Sequence, residues 1–99
     1  MGHATATFNG RIIAETDTYE FVEGNVYFPP SSLDNSVFTP STHTTFCPWK
    51  GTASYYDVSV GGQQAKDAAW FYANTITDRA SGLKDHVAFY KAKVEVKAE

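Results

Sequence analysis

The chain has a single cysteine, Cys47. One thiol cannot close an internal disulfide, and a four-cysteine zinc site is excluded. No run of apolar residues approaches the ~18–20 that a membrane-spanning helix needs. Basic residues are scarce and scattered, six lysines and two arginines. With a net charge of -3 and a pI near 5.5, the protein lacks the basic field that nucleic acid or an anionic membrane would demand. Neither partner is expected. The opening Met-Gly-His-Ala-Thr has no basic or apolar segment, so no signal peptide is expected and the cytoplasm is the expected location. No glycine-rich phosphate loop occurs, since Gly61-Gly62 reads as a hairpin turn.

What the chain does have is aromatic rings, at 15% of its 99 residues. Seven Phe, six Tyr and two Trp supply much of the core of one domain, residues 1–99. The local patterns are those of strands. Residues 5–8 and 11–15 flank Asn9-Gly10, which suits a type I′ hairpin turn. Residues 18–23 alternate, and residues 26–28 run into Pro29-Pro30, which cannot donate to a ladder. One helical turn capped by Ser31 or Ser32 is expected over residues 31–35. Residues 36–45 read as extended. After a turn between Pro48 and Gly51, residues 52–60 form a long strand, with Ala53 and Tyr55 on one face and Tyr56, Val58 and Val60 on the other. Residues 63–66 return from Gly61-Gly62, and residues 67–72 are a further strand. Thr75 or Thr77 is placed to cap a helical turn over residues 78–81, ended by Gly82. Residues 86–90 and 93–97 are strands of opposite parity, with a break near Lys91-Ala92. His3 is expected to be a solvated residue of a loose end. The sum is all-β, mainly antiparallel, with little helix.

The chemistry gathers between Ser41 and Tyr56. Cys47 and His43 could form a nucleophile–base pair, with Lys50 as electrostatic partner and the Gly51 amide as oxyanion donor. In an extended segment residues four apart lie ~13 Å from one another, so the pair requires a tight bend at residues 46–48. The alternative is a buried cysteine that acts as a small hydrophobe. Trp49, Tyr55, Tyr56, Trp70, Tyr72 and Tyr90 could stack a flat ligand or cage a cation. Tyr55 and Tyr56 point opposite ways, so only one set can line a pocket. Asp67 is expected to bond Lys50, His43 or a turn amide. His43 and His86 with Asp57, Asp67 or Asp85 match no ligand spacing, so neither metal nor cofactor is expected.

Ser41, His43, Thr45, Cys47, Pro48, Trp49, Lys50, Gly51, Ala53, Tyr55 and Tyr56 form one block. Asp67, Ala68, Ala69, Trp70 and Tyr72 form a second, and Val87, Ala88, Phe89 and Tyr90 a third. Together they resemble a family called domain of unknown function 427, sometimes labelled nucleotidyltransferase-like, and the resemblance covers almost the whole chain. The family often has proline where Lys91 stands here. The resemblance implies an Mss4-like β-tent, two small antiparallel sheets meeting along one edge. The two Cys-x-x-Cys zinc knuckles of some β-tent proteins are not possible with one cysteine.

The expected function is the binding of a small-molecule ligand, in an aromatic-lined pocket around the Cys-Pro-Trp-Lys-Gly turn. Its lining would be Trp49, Lys50, Tyr55 or Tyr56, and Trp70, with Lys50 orienting an anionic or carbonyl group. One alternative is an enzyme using Cys47 with His43. Another is a structural module, a homodimer paired through an edge strand such as residues 5–8 or 93–97.

Overall fold

The computed structural model describes residues 2–99. Nine strands make three antiparallel sheets: β1 (Ala4–Phe8), β2 (Arg11–Thr16), β3 (Glu20–Val22), β4 (Asn25–Tyr27), β5 (Phe38–Cys47), β6 (Gly51–Val60), β7 (Gln63–Phe71), β8 (Val87–Phe89) and β9 (Glu95–Ala98). The sheets run β2-β1-β9, β3-β4 and β5-β6-β7-β8. The fold is therefore all-β, with one more sheet than the resemblance implies; the extra one is a hairpin of three-residue strands.

Asn9-Gly10, Glu23-Gly24 and Gly61-Gly62 form two-residue turns with both residues at positive φ, the geometry that matches strand twist in a tight hairpin. The two stretches expected as residues 63–66 and 67–72 are one strand, β7, continuous through Asp67. The helical turns are 3₁₀, Pro30–Ser32, Asn35–Val37 and Asp78–Leu83. Two caps differ from expectation. The turn expected over residues 31–35 is split in two: Pro30–Ser32 has no side-chain cap, and Asp34, not a serine, caps Asn35–Val37 by accepting from the Ser36 amide. Thr77 precedes the third turn, but its hydroxyl donates to the Trp49 carbonyl at 2.7 Å instead of capping.

The four-stranded sheet divides the interior. One face carries Val58, Ala69, Val87 and Phe89 against Ala4, Ala6, Ile13 and Val94 of the back sheet and its flanks. Phe28 is fully buried there, edge-on to Phe89 at 5.5 Å. The other face carries Ala53, Tyr55, Tyr72 and Ala88, with Tyr27 and Leu83. The parity of β6 thus separates Tyr55 from Tyr56, which packs with Phe38 and Phe71.

Two expectations are corrected. Residues 5–8 are no free edge, because β1 is paired on both sides, to β2 and β9. The long open edge is β5, at the border of the four-stranded sheet. His3 is not loose. Its backbone pairs with Glu99, and its ring lies 2.6 Å from Asp17 and 2.8 Å from Glu15. These hydrogen bonds, Asp17 first, raise its pKa above 6.5. A raised folded-state pKa stabilises below the unfolded value and is lost as pH rises through the folded one. His3→Gln is expected to flatten the pH dependence of the urea midpoint just above pH 6.5 and leave the alkaline midpoint unchanged.

Candidate functional site

Two opposed bulges shape the middle of the four-stranded sheet. Pro40 pairs with Tyr56 and Thr44 with Ser54, so residues 41–43 of β5 face Tyr55 alone. On the other side Ala69 pairs with Tyr56 and Ala65 with Val58, so residues 66–68 of β7 face Asp57 alone. Extra residues of this kind bend a strand and re-aim its side chains. The bulges are tied across β6: the Ser41 hydroxyl donates to the Asp67 carboxylate, and Ser41 Oγ accepts the His43 amide at 3.1 Å. Asp67 sits at φ 51, a left-handed conformation uncommon for residues other than glycine. Its amide donates to Asp57 Oδ1 at 2.8 Å. The sequence marked Ser41 only as part of the family-like block and Asp57 only among metal candidates of unmatched spacing, because nothing local marks a residue as part of a bulge.

The bulges put His43 over Tyr55, ring centroids 4.7 Å apart. The contacts continue from Tyr55 to Trp70 at 6.3 Å and to Tyr90 at 6.4 Å, and Trp70 meets Tyr90 at 5.2 Å. His43 and Tyr90 are exposed, Trp70 is half-buried and Tyr55 is buried. Thr45 Oγ1 lies 3.1 Å from the Tyr55 hydroxyl. Burial pushes the Tyr55 pKa up, and the neighbouring Tyr90 and Asp67 add to this.

Trp70 connects this face to a second group. Its indole N–H donates to the Tyr27 hydroxyl at 3.3 Å. Beyond Tyr27 is Lys50, the one buried charged side chain among the described residues, 6% exposed. Its ammonium donates to the Glu23 carboxylate and lies 5.1, 5.6 and 6.0 Å from the ring centroids of Trp49, Tyr72 and Tyr27. Arg79 covers Trp49 at 4.3 Å. Desolvation works against the Lys50 charge, but Glu23 and the two phenols outweigh it, and the pKa is raised. Burial pushes Tyr72 up to about 12. Glu23 was missed by sequence. It occupies the first turn position of β3–β4 at φ 54, where turn chemistry favours Asn, Asp or Gly, and that mismatch is the signal it left.

Cys47 and His43 both lie in β5 with Thr45 between them, and Phe46 and Cys47 continue the ladder opposite Thr52 and Gly51, so the bend at residues 46–48 that the pair requires does not fall between them. Cys47 is half-buried against the cluster of Tyr27, Tyr55 and Tyr72. Tyr56 lies on the opposite face of the sheet from Tyr55. Among the described residues no three His, Cys, Asp or Glu side chains are placed to hold a metal ion, and no helix is long and apolar enough to cross a membrane.

Fold and site together define a small antiparallel β domain, built around an aromatic sheet face braced by a buried lysine paired with a half-exposed glutamate. The chain belongs to the family described as domain of unknown function (DUF427), whose model matches residues 1–99. No curated protein matches it.

Proposed function

We propose that the domain is a binding module, and that its small-molecule ligand lies on the face formed by His43, Tyr55, Trp70 and Tyr90. One observation carries this reading: a chain of touching rings, two of them exposed, sits where two bulges aim polar groups at its border. Tyr90 is 43% exposed beside a half-buried indole, so the row of rings reaches solvent instead of closing inside the core. A flat or cationic group suits the surface. Aromatic faces attract both. Asp67 is the polar partner, since an ionised carboxylate has acceptor capacity beyond its one bond to Ser41. Lys50, held by Glu23, braces the floor rather than meeting the ligand, and Trp49 flanks it.

The test is a thermal-shift and tryptophan-fluorescence screen with heteroaromatic and alkylammonium probes. A hit is expected to raise the melting temperature of the wild type. Tyr90→Ala should weaken its binding about tenfold, the scale of one ring contact, with little loss of stability because that ring is exposed. If no probe shifts the melting temperature, or if a hit binds Tyr90→Ala undiminished, the aromatic face is not the site.

A further inference from the structure

A second site lies behind the sheet, on the side of Phe89 rather than Trp70. A cavity of about 260 Å³ opens between the β3–β4 hairpin and the last strands. Phe21, Val26, Phe89, Val96 and Ala98 line it, together with Gly24 and Asn25. Lys91 is the one charged side chain in the lining. Its ammonium donates to the Gly24 carbonyl at 2.9 Å and joins none of the ion pairs among the described residues. Phe21 leaves 63% of its surface in water beside this hollow, and the solvated Lys91 ammonium borders it with no carboxylate partner among the described residues.

We infer that this cavity binds an alkyl carboxylate, its chain against Val26, Phe89 and Val96 and its head group on Lys91. A slot lined by apolar side chains together with Asn25 and one cation, Lys91, matches an amphiphile with one anionic end. The Lys91 ammonium supplies a charge-assisted hydrogen bond to the carboxylate, and Phe21 closes over the chain. If each carbon fills about the 30 Å³ that a liquid water occupies, the cavity holds a chain of about eight carbons. A neutral alcohol would fill the slot but leave the cation unmet. A folded partner would need a broader apolar patch than this one.

The experiment is a methyl-NMR titration of the full chain with sodium hexanoate, octanoate and dodecanoate, octanol and octylammonium. Saturable shifts are expected at the Val26 and Val96 methyls. Binding should tighten about fourfold per added methylene up to the length that fills the slot. Lys91→Ala should weaken octanoate about tenfold, the scale of one charge-assisted hydrogen bond. Lys91→Glu should abolish octanoate binding and admit octylammonium. Lys91 is exposed, so these variants fold. Octanoate that moves no cavity methyl would overturn the assignment, as would octanol binding equally well or Lys91→Glu retaining octanoate. So would sedimentation showing a dimer that Phe21→Ser dissolves, which would make the hollow a contact between copies.

Discussion

Glu23→Leu is expected to destabilise the domain more than Lys50→Met, although Lys50 is the buried partner and Glu23 is half exposed. The asymmetry follows from what each change leaves behind. Methionine keeps most of the apolar stem that Tyr27, Trp49 and Tyr72 surround, and the freed carboxylate can turn to water. That swap should cost under about 1.5 kcal/mol. Lys50→Ala also deletes the stem and should cost about 3 kcal/mol. Glu23→Leu instead strands an ammonium that is 6% exposed, and an uncompensated buried charge is the costly outcome of breaking an ion pair. The double variant should recover most of the loss. Urea denaturation of the four proteins gives the coupling directly. If Glu23→Leu proves the milder change, water reaches the ammonium freely and the pair does not brace the site.

The same pair predicts an acid dependence. The hydrogen bond and charge of Lys50 hold the Glu23 carboxyl below its ordinary 4.5. A depressed folded-state pKa stabilises above the unfolded value and is lost as pH falls through the folded one. Lys50→Met should therefore unfold with a shallower pH dependence below about pH 4.5, read from the urea midpoint against pH.

Local signals in the sequence marked what local chemistry decides. Asn9-Gly10 and Gly61-Gly62 marked their hairpins because few residues tolerate two positive φ angles in succession. Period-2 alternation put Tyr55 and Tyr56 on opposite faces before any neighbour was known. What stayed hidden depends on contacts between distant residues. β9 pairs with β1 from the other end of the chain, so residues 5–8 look like an edge when read alone. The Lys50 partner is 27 residues away, on a different turn. Ser41 and Asp67 are 26 apart and meet because each adjoining strand carries extra residues opposite β6. The sequence showed rings and charges of the right kinds; the bulges and the Glu23 turn decide which of them share a surface.

Gly51→Ala is expected to be among the most damaging single substitutions, at about 3 kcal/mol from backbone strain and clash combined. Gly51 has φ +115, a conformation L side chains rarely adopt, and an added Cβ would lie 2.8 Å from the Asn74 carbonyl oxygen. That oxygen belongs to the backbone, so relief means moving the segment that leads to Thr77, whose hydroxyl holds the Trp49 carbonyl. Gly51 is also buried and begins β6, immediately after Lys50. A shift there displaces the ammonium from Glu23 and Tyr27, and through Tyr27 it loosens the hydrogen bond that fixes Trp70. The variant should therefore change the indole fluorescence of the folded state as well as lower the urea midpoint. Gly62→Ala is the control, at φ +84 with nothing within 4 Å of the added carbon. It carries the strain without the clash, and should cost about 1–2 kcal/mol and leave the fluorescence unchanged. Equal losses in the two variants would mean that φ alone decides, and that the contact of Gly51 with Asn74 does not couple this turn to the aromatic face.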